Sequence, residues 1–344
     1  MNLPLLTALA EAHGPSGRED RVRAIVEPEL AALCDAVERD PLGGLIARRA
    51  PTGEGPRLML AAHMDEIGLM VTHVEEHGFL RVIPLGGWDA RTLTGQRVLV
   101  RGREDLEGVV GTTPVHLLDE AARKKAPEIS DLAIDLGLPG DRVKELVRRG
   151  DTVTRIRALR PLGDLLTGKS LDDRVGVYVM IEALRAAGPA RGEVVAAATV
   201  QEEVGLRGSR VSTARVRPDI ALAIDTCPAD DGPGGTRSGT TLLGEGAAIR
   251  IMDASAIGSR ALVDLLERIA VERGIPHQFH VANRGGTDTQ SLQLSGEGAV
   301  AGCVSIPSRY VHTNVEVVHP ADVDASVRLV AALIERAHEL EPPS

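Results

Sequence analysis

Five short, largely apolar runs set the strongest limit on how this chain can fold: GGLIAR, RLMLAAH, EVVAAATV, DIALAID and AVAGCVSI. None alternates polar and apolar residues, so each reads as a strand covered on both faces. Helical stretches lie between them, at Asp173 to Ala187, Gly258 to Gly274 and Pro320 to Leu340. Two more open the chain, from about Pro4 to His13 and from Arg18 to about Cys34; Ser16 with Glu19 three residues on reads as a capping box for the second. Continuous apolar strands alternating with helices require an α/β fold, with a mostly parallel (mixed) sheet and helices on both faces.

Between Ile67 and Thr167 the texture changes. Gly, Val, Arg and Thr dominate, with short strands expected at FLRVIPLG, GQRVLVRG, LEGVVGT and DTVTRIR. Short helices are expected around Val115 to Lys124 and Asp141 to Arg149. This is the pattern of a small β-rich domain. The chain therefore divides into a discontinuous α/β domain, residues 1–66 and 168–344, and an inserted β-rich domain, residues 67–167.

Composition excludes several classes of function. A net charge of −10 argues against nucleic acid as the main ligand, because phosphate neutralisation needs a basic surface. One Trp, two Tyr and two Phe give few stacking platforms for polysaccharide or single strands. Cys34, Cys227 and Cys303 are odd in number and far apart, as expected of reduced thiols. The apolar start is interrupted by Glu11 and His13, and no run approaches the roughly 20 apolar residues of a membrane span. A cytoplasmic location is expected, with no membrane partner.

The candidate chemistry lies where apolar strands end, since the carboxyl ends of strands in an open α/β sheet are where ligands bind. His63-Met64-Asp65 closes RLMLAAH, and residues two apart on extended chain face the same way, so Asp65 can brace the imidazole. Asp172-Asp173 precedes a helix, where an N-cap is the simplest use of an acid. Glu202-Glu203 follows EVVAAATV, and adjacent residues pointing apart suit a division between metal binding and proton transfer. Asp225 ends DIALAID, and His312 follows AVAGCVSI in SRYVHTN. Each motif alone is ambiguous. Together they supply two histidines, three carboxylates and a spare Glu, a set suited to two divalent ions sharing a carboxylate and a water. Charge supports this, because two dications balance three carboxylates and one hydroxide, and a neutral site is easier to bury. His73, His77, His116, His277, His280, His319 and His338 lack that context and read as surface or core residues. GGTDTQ lacks the Lys-Ser/Thr of a phosphate loop, and no Gly-x-Ser-x-Gly elbow supports a serine hydrolase.

These residues resemble the dinuclear-metal aminopeptidases that assemble into hollow tetrahedral particles. That family includes glutamyl and deblocking aminopeptidases and proteins once labelled cellulase M. The resemblance runs nearly the full length, through GPSGRED, AAHMDEIGLMV, GGWDARTLTGQRV, GTTPVHLL, LDDRVG, TVQEEVGLRGS, GGTDTQ and RYVHTNVEVV. It implies a phosphorylase/hydrolase-like metallopeptidase domain with a β-rich dimerisation insert. It also implies two ions per subunit, zinc or cobalt first and manganese third. Asp172 would bridge them, His63 and Asp225 would complete one site, and Glu203 and His312 the other. Glu202 would be the general base, Asp65 the orienting partner of His63, and Asp173 the support of the backbone after the bridging ligand. The implied substrates are peptides with free N-termini, and the implied assembly is a homo-oligomer, dimers built into a dodecamer. One departure is Asn314, where the family often has proline. The rival readings are a related metallo-deacylase or carboxypeptidase and a non-catalytic assembly protein. A glycosidase would leave both histidines unexplained.

Overall fold

The strand Leu58–His63 is buried along its whole length and lies at the middle of the fold. A computed structural model describes residues 1–235 and 241–340. In it Leu58–His63 pairs in parallel with Val194–Thr199 on one side and Ile220–Pro228 on the other, and Val300–Arg309 continues the parallel run beyond the latter. The register sets Thr199 against His63 and Asp225 against Ser305. The carboxyl ends of adjacent strands thus share one rim of the sheet.

Parallel pairing is confined to this centre and to Ala247–Met252 with His277–Val281. Ala36–Arg39, Leu45–Arg49, Arg160–Leu162, Leu165–Gly168 and Glu316–Val318 all pair antiparallel. The sheet is therefore mixed, as expected from the sequence, with a parallel centre and antiparallel margins. Its marginal strands are joined by short turns, which only antiparallel neighbours permit.

Helix Leu171–Ala186 is apolar on nearly every side, with Val175, Val177, Val179, Met180 and Ile181 all buried. A helix of that kind belongs inside. It packs on the sheet and beneath helices Leu3–Glu11 and Pro320–Arg336. The small residues of the strands it covers, in LAAH and IALAID, let it approach closely. The expected capping box at Ser16 and Glu19 is absent: Ser16 Oγ donates to Asp65 Oδ2 at 2.6 Å, and Glu19 Oε1 accepts from Gly17 N at 2.7 Å. Ser16 is taken by a buried carboxylate distant in sequence, and Glu19 by the amide of its near neighbour Gly17. Among the described residues no helix is long and apolar enough to cross a membrane.

Strands Gly68–Val74, Leu80–Leu85, Leu132–Asp135, Asp105–Thr112, Arg97–Arg101 and Thr152–Arg155 close into an antiparallel barrel in that spatial order. Alternate residues such as Val98 and Val100 fill its core with Leu69, Leu80, Ile134 and Val153. Closure leaves no free sheet edge. After Arg155 the chain rejoins the large sheet at Arg160–Leu162, before the residue 168 expected from sequence.

Where the chain enters the barrel, Glu66 is fully buried and holds several segments together. It accepts from Lys169 Nζ at 2.8 and 2.9 Å, from Ser170 Oγ at 2.5 Å and from Gly14 N at 3.1 Å, with Arg174 at 3.4 Å. Burial alone would raise its pKa, but Lys169 and Arg174 outweigh it and hold the carboxyl at about 2. Replacing Glu66 by Gln strands two buried cations and is expected to cost about 3–5 kcal/mol, measured by urea or thermal unfolding. The folded-state pKa lies below the ordinary 4.5. The contribution is therefore complete above that value and lost as pH falls towards about 2. The gap between wild type and variant should close over that window.

Candidate metal centre

The loops after the central strands collect the acids and histidines named from sequence. His63, at the end of its strand, points Nε2 at Asp172 Oδ1, 3.4 Å away. The other oxygen of Asp172 lies 3.2 Å from His312 Nε2, and Glu203 Oε1 lies 3.3 Å from that same nitrogen. Glu202 Oε2 stands 4.0 Å from His63 Nε2, so the two adjacent glutamates address different histidines. Two groups of ligand atoms each fit within 4.8 Å: His63, Asp173 and Asp225, and Asp172, Glu203 and His312. All seven residues singled out from the sequence meet here.

The donor set fits divalent ions. Asp172 Oδ1 and Glu203 Oε1 are buried and accept no hydrogen bond, the condition of a ligand atom kept for a cation. Asp173 is different: its Oδ2 accepts from His63 N at 3.2 Å and its Oδ1 from Gly176 N at 3.1 Å. Those bonds make it a brace between the strand end and the helix start, whereas both oxygens of Asp172 face histidines.

A second layer of carboxylates holds the peptide units that carry the first. Asp65 accepts from Glu202 N at 3.0 Å and Glu203 N at 3.2 Å. His63 Nδ1 is nearer the carbonyl of Asp65, at 3.1 Å, than its carboxylate, at 3.5 Å. Asp65 thus orients His63 chiefly through its backbone, and its side chain fixes the Glu202-Glu203 loop. Glu316 accepts from Asp172 N at 3.0 Å and His312 N at 2.9 Å. Glu19 accepts from Gln201 N at 3.2 Å. These bonds hold Gln201 (φ 56°) and His312 (φ 64°) in the left-handed region, where a residue with a Cβ persists only if its surroundings determine it.

Sequence reasoning missed Glu316, Glu19 and Asp288. Glu316 sits in a short buried strand, EVV, whose acid among valines was the available signal. Asp288, in GGTDTQ, accepts from Thr199 Oγ1 at 2.7 Å and Ser209 Oγ at 2.5 Å, beneath the Glu202 loop. His280, read as a surface or core residue, is buried in the wall of the cavity that opens from the centre. Its register on a strand at the sheet's margin hid that position. The cavity, of about 960 Å³, runs from the acids past Asp230, Arg250, Ser255 and the exposed Arg284.

Electrostatics show what the cluster demands. Burial pushes the Asp225 carboxyl up to about 8, with Asp172 adding to the effect. Burial likewise raises Glu202 well above the carboxylate range, with Asp225 adding and His63 opposing. Burial disfavours charge on His312, yet Asp172 and Glu203 overcome it and carry the imidazole up to about 12. Without cations, burial favours the protonated form of Asp225, Glu202 and Glu203, while Asp172, flanked by His63 and His312, is held below the usual carboxylate range and both imidazoles keep their protons.

The family of the chain follows from the comparison of this centre and fold with known proteins. Residues 43–329 match the model of the M42 glutamyl aminopeptidases. The chain belongs to that family. It is a metal-dependent aminopeptidase, a hydrolase. It is 34% identical to the lysyl aminopeptidase of Pyrococcus furiosus over 98% of this chain and 97% of that one. An aminopeptidase from Desulfurococcus kamchatkensis superposes with a TM-score of 0.94 at 40% identity, covering 99% of this chain and 97% of the other. The TET1 peptidase of Pyrococcus horikoshii, described as assembling into a tetrahedron or a large octahedral shell, superposes at 0.88 with 36% identity, covering 97% and 99%.

The pKa shifts set a pH dependence with a definite sign. Asp225 titrates higher in the folded protein than its ordinary 3.8, so folding is penalised progressively as pH rises from about 4 to 8. His312 titrates above 6.5, so its contribution is also lost as pH rises from 6.5 towards 12. Both slopes have the same direction. Thermal unfolding of chelator-treated protein should fall steadily between pH 5 and 8, while metal-loaded protein, whose acids are needed ionised, should not show that fall.

Proposed function

We propose that the chain removes residues from free peptide N-termini at a centre of two divalent ions. The observation that carries this reading is the reach of Asp172 towards both histidines, 3.4 Å to one and 3.2 Å to the other. Asp172, placed between the two histidines, would serve both ions, with His63 and Asp225 as further donors to one and Glu203 and His312 to the other. Mixed imidazole and carboxylate donors suit zinc or cobalt, with manganese as a third option. Held by these residues, divalent ions would supply Lewis acidity for the scissile carbonyl and for a bound water.

Glu202 is the general base. It lines the cavity beside His63 without being needed as a ligand, and its raised proton affinity suits a group that takes a proton and returns it to the leaving amine. The free α-amino group of the substrate sits against the acids of the centre. The first side chain extends into the cavity towards Arg250 and His280. We further propose a cytoplasmic homo-oligomer, dimers joined into a shell. Apolar side chains exposed on and beside the barrel, Phe79, Ile83, Val109, Val115 and Leu117, support association through that domain.

Hydrolysis of a panel of amino-acid p-nitroanilides, after dialysis against chelator and restoration of zinc, cobalt or manganese, tests the reading. Metal-dependent release from one or a few residues is expected; silence from folded, metal-loaded protein would overturn it. Glu202→Gln should retain both ions and lose about 10²–10⁴-fold in turnover, whereas Asp172→Asn should lose metal as well as activity.

A further inference from the structure

The groups around His312 do not all come from the α/β domain. The barrel strand Leu80–Leu85 runs into Gly86, Gly87 and Trp88, and this turn lies against the metal centre. Gly86 has φ +85°, and a Cβ there would stand 2.6 Å from Ile67 and 3.3 Å from Glu203. A Cβ on Gly87 would stand 3.3 Å from His312 Nδ1. The Gly87 carbonyl itself lies 3.1 Å from that nitrogen, the position of the outer partner that orients a metal-binding imidazole. Asn314 Nδ2 donates to Gln96 Oε1, so the His312 loop is tied to the barrel at a second place.

Trp88, the one tryptophan of the chain, is held at both ends. Its Nε1 donates to Gly68 O at 2.7 Å, and the Arg155 guanidinium lies 4.6 Å from its ring centroid. Arg155 is 2% exposed, and none of its three guanidinium nitrogens has a hydrogen-bond partner. Glu316, Glu66 and Glu203 are the acids whose charges it feels. A buried cation without hydrogen bonds is costly, and an apolar side chain would pack on an indole at no such cost. A buried Arg at this place suits a task that an apolar residue would not perform.

We propose that Arg155, stacked on Trp88, is a positioning residue for the ion held by Asp172, Glu203 and His312. It fixes the turn whose Gly87 carbonyl aims His312, so the barrel sets the affinity of this ion and leaves that of the ion at His63 and Asp225 unchanged. The proposal rests on the two-ion reading. Coulomb's law gives it a sharp sign: removing a nearby positive charge would by itself tighten the binding of a dication. Weaker binding therefore reports lost orientation.

The test is cobalt titration of the chelator-dialysed full chain by calorimetry, comparing wild type, Arg155→Met, Arg155→Lys and, to mark the site, His312→Ala. Two ions are expected in wild type. In both Arg155 variants the ion that His312→Ala abolishes should bind about 10–100-fold more weakly, with the other unaltered. Unchanged or tighter binding, equal weakening of both ions, or full affinity in the Lys variant would overturn the proposal. Wild type binding fewer than two ions would instead overturn the two-ion reading, and this inference with it. Tryptophan emission of the wild-type protein gives a readout independent of whether the variants fold. It should respond as the His312 ion binds and not as the other does; an emission indifferent to the His312 ion counts against the role.

Discussion

The structure depends on burying carboxylates together. Asp172, Glu202, Glu203, Asp225, Asp288 and Glu316 crowd one rim of the sheet with two imidazoles, and burial raises the proton affinity of most of them. Such a concentration of like charge is tolerable only if cations or protons neutralise it. The donor set, with acceptor atoms left free of hydrogen bonds at Asp172 and Glu203, answers to cations. Metal binding and folding stability are in this sense linked through the same carboxylates.

Holding those side chains at ligand spacing takes a second set of acids. Asp65, Asp173, Glu316 and Glu19 accept from the backbone amides of the very residues, or next neighbours, that point into the centre. The amides satisfy the carboxylates, and the carboxylates hold the peptide units in turns that include left-handed residues. One network thus meets two costs, of buried charge and of unfavourable backbone. The fold places it at the carboxyl ends of parallel strands, where chain leaves the sheet and is free to turn.

The barrel reaches into this arrangement from outside the α/β domain. Gly86 and Gly87 let its backbone approach Glu203 and His312 closely, and Glu66 ties its entry to Lys169 and Arg174 just beside Asp172 and Asp173. A domain that reads as an assembly module therefore shares a wall with the metal centre. The barrel's exposed apolar residues and that wall belong to one continuous structure.

The central strands were legible because burial on both faces leaves a continuous apolar run, and the candidate ligands because several acids and histidines fell together at the ends of such runs or at a helix start, a set more telling than any one motif. His63, Asp172, Glu202, Glu203, Asp225 and His312 stood out for that reason. Glu316, Asp288 and Arg155 did not, since each sits inside a strand or turn whose partners are distant in sequence: Glu316 lies 144 residues from the Asp172 amide it accepts from. The antiparallel margins of the sheet escaped for a related reason, as short strands carry no periodicity long enough to read. Ser16 and Glu19 matched a local capping pattern, but Ser16 donates to the distant Asp65, and Glu19 accepts from the Gly17 and Gln201 amides instead. By itself the sequence determined the class of fold and pointed to a β-rich insert and to a set of acids and histidines at strand ends, all written in local pattern. Only the tertiary structure decided which acids brace the backbone and that the barrel touches His312. Those contacts join segments whose local chemistry is ordinary and whose meaning lies in what stands opposite.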